Sequence, residues 1–246
     1  MGPCTVTGVS ENHLEIIQKM IITYSNDLNH KFTFINTNPY SVYFAKDLED
    51  FYNESGKSTP NWAFGITRNN RIIMQYPQNI RTLKQLLIHE LNHVYINKLP
   101  RSHTIPKWFK EGMAVNESGE FSFNNIIVFS TAKWNNKLFT NNELSNFKTV
   151  NKSNSQIAYA QSYIMFKALS HYYHPGIYHD IIEHINRGND FWESLVYLTG
   201  DSKPVIRNNI AKFVDSEYNW MFLFNRYNLI FMFLPLILIL GYIYKR

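Results

Sequence analysis

Two histidines four residues apart restrict this chain more than any other feature. They stand in the run Leu87-Ile88-His89-Glu90-Leu91-Asn92-His93-Val94. On a helix, residues i and i+4 lie one above the other, so both imidazoles can reach one metal ion. Glu90 sits about 100° around the helix from His89, beside such an ion. From there it can take a proton from water without crowding the ligands. The run therefore demands a helix, and residues 79 to 98 supply one, closed by Pro100.

With nine histidines in 246 residues, chance gives roughly 0.02 copies of this pattern per chain. The competing reading is a pair of core histidines, because Leu86, His89, His93 and Ile96 share one row of the helix. The next segment argues against it. Trp108-Phe109-Lys110-Glu111-Gly112-Met113-Ala114 opens a second helix behind Pro106, a residue suited to a helix start. A catalytic zinc wants three protein ligands and one open position. Glu111, on an antiparallel neighbouring helix, is the natural third ligand. Gly112 and Ala114 are small enough to let that helix pack tightly against the first. Asn116 and Glu117, about a turn later, are candidates to orient a ligand histidine. Cys4 is the single cysteine. A disulfide framework and a thiolate zinc site are thereby excluded, and any metal must be held by His and carboxylate.

These residues carry a resemblance. H-E-x-x-H followed by W-x-x-E-G-x-A resembles the signature of gluzincin zinc metallopeptidases, and is similar to the catalytic domains of aminopeptidase N-type enzymes. The layout looks closest to the compact peptidase MA-like group over residues 60 to 215. The resemblance implies His89, His93 and Glu111 as zinc ligands and Glu90 as general base. It also implies a tyrosine hydroxyl opposite the zinc, to stabilise an oxyanion. Tyr159 in Ile157-Ala158-Tyr159-Ala160-Gln161-Ser162-Tyr163 fits that place best, with Tyr163 one turn further as the alternative. One departure matters. Aminopeptidase N-type enzymes carry a G-x-M-E-N segment whose Glu binds the free amine of the substrate. The comparable stretch here, Ala63-Phe64-Gly65-Ile66, holds no acid, so an endopeptidase is expected.

The rest of the chain reads as α+β, with mixed elements first and helices afterwards. Short strands are expected at 32–35, 41–45, 62–67 and 71–76, the last two forming a hairpin. Helices are expected at 11–28, 47–53, 79–98, 106–116, 155–173, 177–187, 190–199 and 204–217. Residues 121–129 read as a β-ribbon. The division is an α/β subdomain with the H-E-x-x-H helix (1–105), a helical subdomain with the third ligand (106–218) and a transmembrane anchor (221–244). The anchor rests on the uncharged stretch from Tyr227 to Tyr244, flanked by Arg226, Lys245 and Arg246. Its 18 residues span about 27 Å as a helix, just enough for a hydrocarbon core of ~30 Å. Trp220, Tyr227, Tyr242 and Tyr244 sit at its ends, as interfacial aromatics do.

Residues 1–13 have no basic n-region and no apolar h-region, so no cleavable signal peptide is read there. Arg207, Lys212 and Arg226 precede the anchor and Lys245 and Arg246 follow it. That near balance leaves the side of the catalytic domain open. The net charge of +5 is spread over scattered Lys and Arg, which is not the clustering that nucleic-acid binding needs. His171, His174, His179, Asp180, Glu183 and His184 read as a solvated face. The expectation is a single-pass, membrane-anchored zinc endopeptidase with peptide or protein substrates. The alternative is a catalytically silent domain of the same fold that binds or scaffolds at the membrane.

Overall fold

The computed structural model describes residues 4–32, 39–56, 59–60, 63–68, 70–77 and 79–224, with four isolated positions beyond. Strand β1 (Cys4–Thr7) leads through helix α1 (Glu11–Lys31) to β2 (Tyr40–Ala45). Helix α2 (Leu48–Ser55) follows, then the hairpin of β3 (Gly65–Arg68) and β4 (Arg71–Gln75). The sheet runs β1-β2-β4-β3. The first two pairings are parallel, and β3 is an antiparallel edge on β4. Alternation along β2 explains the two layers around it. Tyr40, Val42 and Phe44, with Ile72 and Met74 of β4, enter the main core with α1. Ala45 and Ile73 point the other way, onto Phe51 of α2. A sheet with parallel strands is buried on both faces for this reason.

The body is helical. Helix α3 (Ile80–Asn97) starts at Asn79, whose side chain accepts from the Thr82 amide, an N-cap of the usual kind. A 3-10 turn at Ser102–Thr104 leads into α4 (Lys107–Ser118). Then come α5 (Phe123–Trp134), α6 (Asn141–Asn146), α7 (Ser155–Tyr172), α8 (Ile177–Asn186), α9 (Phe191–Thr199) and α10 (Lys203–Ser216). One core cluster runs from Ile17 of α1 through α3, α4 and α7 to Val214 of α10, so the two expected subdomains share their interior.

Three local readings change. Residues 121–129 form no ribbon. Ser122 and Asn125 make a capping box, and Phe129 and Ala132 are buried at helical spacing. Packing against α7 overrides the β preference of Ile126, Ile127 and Val128. Gly112 does let α4 approach a neighbour closely, but the neighbour is α7 and not α3. A Cβ there would lie 2.6 Å from the Ser162 carbonyl oxygen and from Phe166 Cβ. Strand β1 and helix α6 were not expected. Four and six residues are too few to show a period.

The strand expected at 32–35 lies outside the described residues except for Phe32, which ends α1. Met221–Phe224, the first four residues of the expected anchor, form a 3-10 turn. It packs on α5, with Phe222 stacked on Trp134 at 4.3 Å and Phe224 against Phe123. The anchor beyond residue 224 falls outside the described residues apart from the isolated positions. Among the described residues, no helix is long and apolar enough to cross a membrane.

Candidate active site

Helices α3 and α4 pack side by side and bring three donor atoms together. His89 Nε2 and His93 Nε2 face each other at 3.2 Å. Glu111 Oε2 lies 3.3 Å from the first and 3.4 Å from the second. Donors about 2.0–2.1 Å from a tetrahedral ion stand roughly 3.3–3.4 Å apart. The three atoms thus already mark one face of a tetrahedron. Glu111 Oε2 is buried and has no hydrogen bond of good geometry. An orphaned buried carboxylate oxygen between two imidazole nitrogens is costly, and a cation between the three removes that cost. His89, His93 and Glu111 fit a metal ion by geometry and by chemistry.

The packing behind α4 explains why Trp108 and Glu111 come as one motif. Trp108 and Phe109 are fully buried and meet Phe191 at ring-centroid distances of 6.0 and 4.9 Å. That contact fixes the rotation of α4, so Glu111 faces inward. Burial works against a charged His89 imidazole. The carboxylates of Glu120 and Glu111 outweigh it and hold His89 well above the usual histidine range. Burial likewise favours a neutral Glu111, yet the imidazoles of His93 and His89 pull it well below the usual carboxylate range. The local field therefore favours an ionised Glu111 facing positive charge.

Sequence reasoning missed Glu120. It lies 2.7 Å from His89 Nδ1, so a carboxylate accepts from Nδ1–H and Nε2 is left as the atom that can give up its proton to a metal. Asn116 and Glu117, the expected orienting residues, do not reach the histidines. Glu117 pairs with Lys31 at 2.7 Å on another face of α4, and the Asn116 amide donates to Glu117. The signal that could have pointed to Glu120 was the glycine before it. Gly119 ends α4 at φ 63°, a left-handed cap that turns the chain back. Its carbonyl accepts from Gln85 Nε2 on α3, and the next side chain then returns to the site.

Glu90 is buried on the same helix. Thr67 of β3 donates to Glu90 Oε2 at 2.7 Å, which orients the carboxylate. A Cβ at Gly65 would meet Glu90 Oε1 at 2.9 Å, so glycine is what lets β3 pass this close. Tyr159 of α7 stands edge-on to His89, 6.2 Å between ring centroids. Phe147 holds its other side at 5.9 Å. Tyr163 stacks on Phe121 at 4.0 Å and does not line the cleft.

A cavity of about 450 Å³ opens over these groups, lined by Gly65, Thr67, His89, Glu90, His93, Glu111 and Tyr159 among others. A helix-borne H-E-x-x-H completed by a carboxylate from the following helix, beside the edge strand of a small sheet, defines the class: a zincin-like domain. The comparison with known families agrees. The chain matches the Peptidase MA superfamily over residues 28–202 and belongs to that superfamily, whose peptidases are typically zinc-dependent. No curated protein matches the sequence.

Proposed function

We propose that the protein is a gluzincin-type zinc endopeptidase held at a membrane by its C-terminal segment. The observation that carries this is the orphaned Glu111 oxygen lying 3.3 and 3.4 Å from two imidazole nitrogens, with Glu90 buried beside it. His89, His93 and Glu111 would hold the ion. A zinc ion there supplies Lewis acidity, lowering the pKa of water and polarising a carbonyl. Glu90, aimed by Thr67, accepts the proton of the attacking water and passes it to the leaving amine. The Tyr159 phenol donates to the oxyanion as it forms. Glu120 keeps the His89 proton on Nδ1 throughout.

Two features support a peptide substrate cleaved within the chain. Among the described residues β3 pairs only with β4, and Gly65, Ile66 and Thr67 line the cleft. An extended peptide can add to such an edge through main-chain hydrogen bonds. The carboxylates at the site are also committed: Glu111 to the histidines, Glu120 to His89, and Glu90 to Thr67. None is left to take a free α-amine. The anchor is supported by the aromatic surface next to it. Trp134 and Trp220 are 65% and 61% exposed, next to a chain that continues into 18 uncharged residues. Such side chains suit a bilayer interface.

The test compares wild type with Glu90→Gln on a broad peptide mixture. Equal zinc content and folding with cleavage reduced by about 10²- to 10⁴-fold are expected. Equal cleavage by both would remove Glu90 from the chemistry. Zinc bound with no cleavage of any peptide by wild type would favour the catalytically silent reading. For the anchor, removal of residues 225–246 should release the protein from membranes and leave cleavage intact. A truncated protein still sedimenting with vesicles would contradict it.

A further inference from the structure

Two lysines share the cleft with the metal-site residues, and the proton chemistry above gives them no task. Lys107 and Lys110 both line the cavity, as do Asn97, Ile105, Phe147 and Val150. Lys107 stands over the Phe147 ring, 5.1 Å from its centroid, and its Nζ is 3.8 Å from Glu111 Oε1. That is a long contact, and the side chain is 45% exposed, so most of its hydrogen-bonding capacity stays free. Lys110 donates to Asn97 Oδ1 at 3.3 Å, which uses one of three donors.

The charge balance points the same way. The acids lining this cavity among the described residues are Glu90 and Glu111. They offset the two ammonium groups, so a divalent ion leaves the cleft with an excess of positive charge. The cavity lining is partly apolar, through Ile105, Phe147 and Val150, and a lower local dielectric strengthens charge interactions. Aromatic support under Lys107 holds a cation in place without neutralising it.

Resting on the peptidase reading above, we propose that Lys107 and Lys110 bind a carboxylate of the substrate close to the scissile bond. The enzyme thus selects peptides that place a carboxylate at this position. The carboxylate has two sources: an Asp or Glu side chain flanking the cleaved bond, which keeps cleavage within the chain, or the free C-terminus of the peptide, which would make the cleavage exopeptidic. The lysines are specificity residues, distinct from the groups that carry the chemistry.

The experiment uses the zinc-loaded full chain and fluorogenic peptides in matched pairs. One pair set exchanges Glu for Gln at each position around the cleaved bond. The other exchanges a C-terminal carboxylate for an amide. A kcat/KM ratio of roughly 10 to 100 in favour of the carboxylate member is expected in one set, carried mainly by KM. The set that shows it identifies the source. In Lys107→Met with Lys110→Met the ratio should fall toward one, and Lys107→Arg should restore part of it. Lys107→Glu should turn the preference toward peptides with Lys at the same position. Zinc content of each variant is measured alongside. A wild-type ratio near one in both sets overturns the carboxylate site and leaves the peptidase reading standing. So does a lysine variant that slows both members of a pair equally while losing zinc, since Lys107 would then serve Glu111 alone. Cleavage of no peptide at all overturns both.

Discussion

Helix α4 carries two buried glutamates that are treated in opposite ways. Glu117, with its side chain 3% exposed, is compensated by the protein itself: Lys31 reaches it at 2.7 Å and the Tyr178 hydroxyl donates to it at 3.3 Å. Glu111, just as buried, faces two imidazoles and has an oxygen without a partner, while its nearest ammonium is long and half-exposed. The first region is closed, and nothing further is needed to make it stable. The second is complete only with a cation. A buried charge with its own counter-ion is structural; one set between two imidazole nitrogens with an oxygen left unbonded is a candidate site.

That contrast can be broken most forcefully at the metal ligands. Glu111→Gln should lower zinc affinity and kcat by at least about 10³-fold, since three ligands define the site. Its metal-free stability near neutral pH should fall, because the imidazoles of His93 and His89 favour the ionised Glu111 carboxylate in the fold; a melt with chelator present checks this. Tyr159→Phe comes next. It should cost about 10²- to 10³-fold in kcat at unchanged zinc content. Glu117→Gln should leave zinc and kcat intact, unlike Glu111→Gln, while losing about 2–3 kcal/mol of stability in a denaturant melt. Glu120→Gln should weaken zinc by about 10- to 100-fold without unfolding the protein.

The smallest effect is in alkali. Burial, and then the charge of Glu117, push the Tyr178 phenol up to about 12. A raised folded-state pKa contributes stability below the unfolded value near 10, and that contribution is lost as the pH rises through about 12. Glu117→Gln should shift this loss to lower pH in part, because burial remains. Tyrosinate absorbance read against unfolding would show it.

How much of this was legible in the sequence follows from the range of each interaction. His89, Glu90 and His93 are set by one helical period, and Glu111 by a motif on the next helix. All four converge in the structure. Tyr159 was separable from Tyr163 only once Phe121 was seen stacked on the latter. Glu120, Thr67 and the two lysines were hidden because they depend on a left-handed turn, a strand register and the walls of a cavity. The helix at Phe123–Trp134 was hidden for another reason. Its β-branched run reads as strand until the Ser122–Asn125 cap and the packing on α7 are known.

The most direct measurement is zinc stoichiometry, by elemental analysis after dialysis, for wild type, Glu111→Gln and Glu117→Gln side by side. We expect about one zinc per chain in wild type, none retained by Glu111→Gln and an unchanged value in Glu117→Gln. Zinc absent from the wild type, or retained equally by both variants, would contradict the assignment of His89, His93 and Glu111 as a metal centre.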